Sequence, residues 1–160
     1  IIEKVSGQTY YDYVRDHIYK PAGMSDTDAF ELDAVVPNLA TGYVAKSRSN
    51  IYPLPARGRS AGGGYSTAPD MVRFAEALLA GRLASAPYTA WYLGGPRPDP
   101  AAAAPPSQGP LRGGLGVAGG SPGVNAAFEL DAAQHFVIVV LANDDPPAAE
   151  SLARKIRFGK

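Results

Sequence analysis

Apolar positions along the chain fall into helical spacing in some stretches and into alternation or unbroken runs in others. Behind Thr9-x-x-Asp12, which resembles a capping box, Tyr11, Val14 and Ile18 follow the 3.6-residue period, and Lys20-Pro21 predicts the stop. The clearest helix has Thr67 as its cap, Pro69 and Asp70 in its first turn and Gly81 at its end. Met71, Phe74, Ala75, Leu78 and Leu79 form its single apolar stripe, which reads as core packing. From Val124 to Asp131 apolar and polar residues alternate, which predicts a half-buried strand. Phe136 to Leu141 is apolar at every position, as in a strand covered on both faces. A further strand is expected near Leu111 to Val117. Asp145, Pro146 and Pro147 start a last helix, with Ala149, Leu152, Ala153 and Ile156 as its expected buried side. Arg154, Lys155 and Arg157 suit its C-terminal half, where the macrodipole is negative.

Less regular stretches complete the picture. Ile1, Ile2 and Val5 read as the last turn of a helix ending at Gly7, with no cap before them, as if the numbering began inside an element of a longer protein. Pro21-Ala-Gly-Met24 makes a turn, and Pro37, Pro53 and Pro55 punctuate loops and short extended pieces between residues 34 and 60. Gly94 to Pro110, dense in proline, alanine and glycine, reads as a mobile surface loop or lid. The expected organisation is one partial domain: a helical and loop-rich region over 1–93, the loop over 94–110, and strands plus a helix over 111–160. The fold class is α+β, an antiparallel sheet of about three strands from the C-terminal half, flanked by helices. The last helix can cover only one face of Phe136 to Leu141, so further elements are expected on the other.

Charge and composition narrow the chemistry. Fifteen basic and fifteen acidic side chains cancel, so no field gathers nucleic acid or an anionic membrane. No apolar run approaches the ~20 residues of a membrane-spanning helix. With no cysteine and two histidines, disulfides and thiol chemistry are excluded and a structural zinc site is not expected. No cofactor is expected.

Two glycine clusters remain, Ser60-Ala-Gly-Gly-Gly-Tyr-Ser-Thr67 and Gly116-Val-Ala-Gly-Gly-Ser-Pro-Gly-Val-Asn125. Glycine lets a backbone approach a ligand closely. The first reads better as a turn ahead of the helix, the second as a pocket wall, the alternative being a tight strand connection. Tyr65 and Trp91 are candidates to line a cleft, with burial the commoner fate of such aromatics. Gly114-x-Gly116-x-x-Gly119 matches a dinucleotide fingerprint, but a strand pattern follows where that motif needs a helix. Gly119-Gly-Ser121-Pro-Gly123 matches a nucleophile elbow, with Asp131 and His135 in triad order. Yet Pro122 has no N–H for an oxyanion hole, and again no helix follows.

Ile2-Glu-Lys-Val-Ser-Gly7, Tyr10-x-x-Tyr13-Val, Ile18-x-x-Pro21-Ala-Gly-Met24 and Ala40-Thr-Gly-Tyr43 together resemble the serine β-lactamase-like family. The likeness continues through the first glycine cluster, Asp70-x-x-x-Phe74-x-x-Ala-Leu-Leu79-x-Gly81, Gly119-Gly-x-Pro-Gly-Val-Asn125 and Val139-Val-Leu-x-Asn143. The family includes class C β-lactamases, D-alanyl-D-alanine carboxypeptidases and related esterases, often bacterial and exported. The resemblance implies the C-terminal portion of a β-lactamase/transpeptidase-like fold. It also implies an acyl-enzyme mechanism built on Ser-x-x-Lys, Tyr-x-Asn and a Lys/His-x-Gly strand motif. None of Lys4, Lys20, Lys46, Lys155 or Lys160 has serine three residues before it, and no Tyr-x-Asn occurs. Val117-Ala118-Gly119 stands at the third motif, with valine where the family carries Lys or His, and the N–H of Gly120 is a possible oxyanion donor. The chain alone is therefore expected to be inactive, and to meet a small acyl substrate only when completed by N-terminal polypeptide. Its sheet edges are expected to favour self-association. The rival reading is a non-catalytic binding or assembly domain reusing the fold.

Overall fold

Residues 1–99 and 111–159 are described by the computed structural model. Along them run α1 (Ile2–Ser6), α2 (Tyr10–Val14), a π-helical turn (Arg15–Tyr19), α3 (Lys20–Ala22), β1 (Tyr43–Val44) and β2 (Arg48–Ser49). There follow α4 (Ala68–Leu79), α5 (Ala86–Tyr92), β3 (Gly114–Ser121), β4 (Val124–Asp131), β5 (Phe136–Ala142) and α6 (Ala148–Phe158). Of the expected 94–110 loop, residues 95–99 carry no helix or strand and 100–110 lie outside the described residues.

The sheet is the antiparallel meander β3-β4-β5, the α+β arrangement expected. Helix α4 lies on one face, where Ala75 and Leu78 join Leu93, Phe128, Leu130 and Ala132 in a buried cluster that Val137 and Val139 complete. Helix α6 lies on the other, setting Ala149 and Ala153 against Ala127 and Val140. Helix α4 thus supplies the cover that α6 leaves open on β5. With both faces packed, β4 is more than half-buried: Asn125 and Ala127 are buried as well as Phe128 and Leu130.

Three expectations need correction. Helix α6 does not bury Leu152 and Ile156, which stay 49% and 56% exposed, because only its small residues Ala149 and Ala153 let it sit close on the strands. The first long helix does not stop at Lys20-Pro21. The N–H of Lys20 reaches back to the Arg15 carbonyl, and this wider π turn carries the chain through Pro21 to a left-handed cap at Gly23. Strand β3 runs to Ser121, beyond the expected end at Val117. Helix α5 is an additional element that the sequence pattern does not predict.

The N-terminal half is tied on by an apolar cluster and by polar contacts. Ala22 and Met24 pack on Ala77 of α4. The fully buried Asp70 carboxylate accepts the Asp26 N–H and the Thr27 hydroxyl, each at 2.7 Å, and pairs with Arg73. No helix among the described residues is long and apolar enough to cross a membrane.

Candidate functional site

Strand β3 is an edge, paired to β4 alone among the described strands, with Gly114 opposite Asp131 and Ser121 opposite Val124. Hydrogen bonding alternates along such a ladder. Its phase is set where Ala132 donates to the Gly113 carbonyl and Gly114 donates away, to Leu93 at the end of α5. The same phase directs the N–H groups of Gly116, Ala118 and Gly120 away from β4, toward the edge that no described strand pairs. Val117, opposite Phe128 on the α4 face, is 54% exposed.

The glycines of this strand serve different ends. Only Gly123, in the two-residue turn Pro122-Gly123, needs a positive φ, at 78°. A Cβ on it would also lie 2.8 Å from Asn50 Cβ. A Cβ on Gly120 would lie 2.6 Å from the Pro146 ring. Gly116 and Gly119 have neither constraint: a Cβ on either meets nothing within 4 Å. The reading of this cluster as a tight connection using glycine for positive φ therefore holds only at its tip.

That tip is locked from several sides. Asn50, 3% exposed, donates its amide to the Pro122 carbonyl at 3.1 Å. Asp145 accepts the Gly123 N–H and the Ala45 N–H, each at 2.7 Å. The Ala45 and Gly123 amides hold the Asp145 carboxyl below the usual carboxylate range, despite a small opposing effect of burial. Asn125, 3% exposed, donates to the Gly119 carbonyl at 3.0 Å and accepts the Ala149 N–H at 2.6 Å. Helix α6 has no side-chain cap of its own at Pro147, so this strand asparagine serves its first turn. Sequence reading missed Asn50, Asn125 and Asp145 as structural groups. Polar residues inside or beside strand patterns, followed by a helix without Ser, Thr or Asn at its cap, were the available signal.

The other sequence candidates separate. Ser121 ends β3 and enters a hairpin turn, not a helix, while Asp131 closes the far end of β4 and His135 sits in the next turn at φ 56°. Seven strand steps of ~3.4 Å put the serine ~24 Å from that end, so no triad assembles. Asp131 accepts the N–H groups of Ala133 and Gln134 as a turn former. Gly114, Gly116 and Gly119 all lie within β3, which removes the dinucleotide reading. The first glycine cluster packs on Gly58 and Asp28, with Gly62 and Gly63 at positive φ, and borders a cleft of about 220 Å³ with Tyr10, Tyr11 and Tyr19. Burial pushes the phenols of Tyr19 and Tyr65 up. Trp91 is 43% exposed on α5, outside both clusters. Among the described residues no group of three or more His, Asp or Glu is placed to hold a metal ion.

A family model described as Beta-lactamase matches residues 1–158. The chain belongs to that family. Over 88 residues it is 36% identical to the putative penicillin-binding protein PbpX of Bacillus subtilis, covering 53% of this chain and 22% of that one. A crystal structure of a penicillin-binding protein from Bacillus halodurans matches 99% of this chain and 52% of its own, with TM-score 0.79 and 27% identity. An octameric penicillin-binding protein homologue from Pyrococcus abyssi shares the fold at TM-score 0.69 and 19% identity, over 99% of this chain and 40% of its own. The chain thus spans about half the length, or less, of the solved relatives it matches. Val117, Ala118 and Gly119, which resemble the family's third motif in sequence, lie within β3.

Proposed function

We propose that this chain forms one wall of an acyl-enzyme hydrolase site, with the Gly120 N–H as an oxyanion donor and with nucleophile and base supplied by polypeptide outside residues 1–160. The observation that carries this reading is the direction of the Gly120 N–H toward an edge no described strand covers, one residue past Val117-Ala118-Gly119. An amide fixed there would face the oxygen of a β-lactam, D-alanyl peptide or ester as it gains charge. The open space at Gly119 leaves room for that substrate. The isolated chain is then inactive, because neither Ser-x-x-Lys nor Tyr-x-Asn is present.

The test is acylation by a fluorescent penicillin, together with p-nitrophenyl ester hydrolysis, by the purified chain. No turnover is expected, and rapid turnover abolished by Ser121→Ala would overturn the reading. Val117 favours a second reading, a binding or assembly domain, since valine can neither move a proton nor hold a carboxylate. The encoded residues preceding Ile1 separate the two: Ser-x-x-Lys with Tyr-x-Asn there supports the hydrolase, and neither motif supports the binding domain. The uncovered β3 edge also supports self-association, a property the Pyrococcus abyssi homologue shows as an octamer.

A further inference from the structure

The hairpin tip next to Gly120 is gripped by one dipeptide, Asp145-Pro146. Both carboxylate oxygens of Asp145 are taken by backbone amides, Oδ1 by Gly123 and Oδ2 by Ala45, each at 2.7 Å. These amides belong to segments 22 and 100 residues away in sequence. Pro146 stands directly behind Gly120, its ring 2.6 Å from where a Cβ would be. The partner segment is itself costly to hold. The turn Val44–Ser47, closed by the Ser47 N–H to the Val44 carbonyl, keeps Ala45 and Lys46 at φ 49° and 59°. Left-handed backbone at non-glycine residues persists only where surroundings enforce it. The Asp145 carboxylate does so by accepting the Ala45 amide. Nearby, Tyr43 donates to the Asn143 carbonyl and the Asn143 side chain donates to the Thr41 carbonyl.

We propose that Asp145 is a positioning residue for the Gly120 amide: by clamping Gly123 to Ala45 it holds the β3–β4 turn against Pro146, so the Gly120 N–H keeps a single direction at the open edge. This rests on the reading of Gly120 as the oxyanion donor. Preorganised donors act because they need not reorient as charge develops, and tolerances in such sites are about 0.5 Å. An acceptor bearing full charge makes the shorter, stronger kind of hydrogen bond to each amide. The charged groups beside the clamp are Asp144, which accepts the Asp145 N–H, and Lys46 in the turn.

The experiment is backbone ¹⁵N relaxation on the purified chain and on Asp145→Ala and Asp145→Asn. In the wild type the Gly120, Gly123 and Ala45 amides should be rigid, with order parameters near ~0.85, and in Asp145→Ala they should fall below ~0.6. Phe128 and Leu130 amides should not change, a pattern that a merely global loss of stability would not give. Asp145→Asn, which keeps one carbonyl acceptor, should free one of the two contacts and lie between. Unchanged Gly120 order in folded Asp145→Ala overturns the proposal. Should that variant fail to fold, unchanged Gly120, Gly123 and Ala45 order in Asp145→Asn overturns it equally. Because Gly120 order is read without substrate, the clamp and the reading it rests on fail separately: the first as unchanged relaxation, the second as Ser121-dependent turnover in the acylation test.

Discussion

The two glycine clusters look alike in sequence and differ in what makes them glycine. In the first, the chain's own geometry demands it: Gly62 and Gly63 sit at positive φ, and a Cβ on nearby Gly58 would be 2.4 Å from the Gly63 carbonyl oxygen. In the second, the demand falls on Gly120 and Gly123, while Gly116 and Gly119 face open space with ordinary backbone angles. A glycine required by neither conformation nor packing points to something beyond the described contacts. The first cluster is a turn. The second is constrained at its tip and borders open space at Gly116 and Gly119.

Substitutions can break or sharpen that contrast. The largest effect is expected from Gly123→Val, which adds a side chain at φ 78° and against Asn50 and Tyr43. Strain and overpacking together should cost about 3–5 kcal/mol, read as a lower urea midpoint. Gly58→Ala should cost about 2–3 kcal/mol on the same measurement, because the obstructing atom is backbone and cannot swing aside. Gly120→Ala, which must push the Pro146 ring and crowds the Val124 carbonyl oxygen at 2.9 Å, should cost about 2 kcal/mol. Gly119→Ala should stay within about 0.5 kcal/mol of wild type, and a loss as large as that of Gly58→Ala would erase the distinction between the clusters. The smallest effect concerns acid. The Asp145 carboxyl is depressed by its two amides, so its contribution is present above its unfolded value of about 3.8 and fades as pH falls through the lower folded value. Acid unfolding of Asp145→Asn should therefore lack this component, and an identical pH profile would count against the clamp.

Periodicity gave away the elements whose environment is simple. Helix α4 buries one stripe under a Thr67 cap, and β5 is apolar throughout because α4 and α6 enclose it. The failures came where a neighbour, not the segment itself, decides. Leu152 and Ile156 look like core residues by spacing, yet close approach to the strands selects Ala149 and Ala153. Pro21 looks like a terminus, yet a π turn upstream absorbs it. The proposed site, Val117 to Gly120, was named from the sequence because the glycine-rich stretch resembles a motif. Its supports were not, since Asp145 reaches Ala45 across 100 residues and no local pattern records such a bond.

Asn125 has a consequence for the order in which the molecule assembles. Its one side chain both braces the hairpin at Gly119 and completes the start of α6 at Ala149. Eleven residues are too few to hold a helix alone in water, so the C-terminal segment should gain structure only after the β3–β4 hairpin has closed. A peptide of residues 148–158 should stay mostly coil, and Asn125→Ala should loosen the chain's end before its centre.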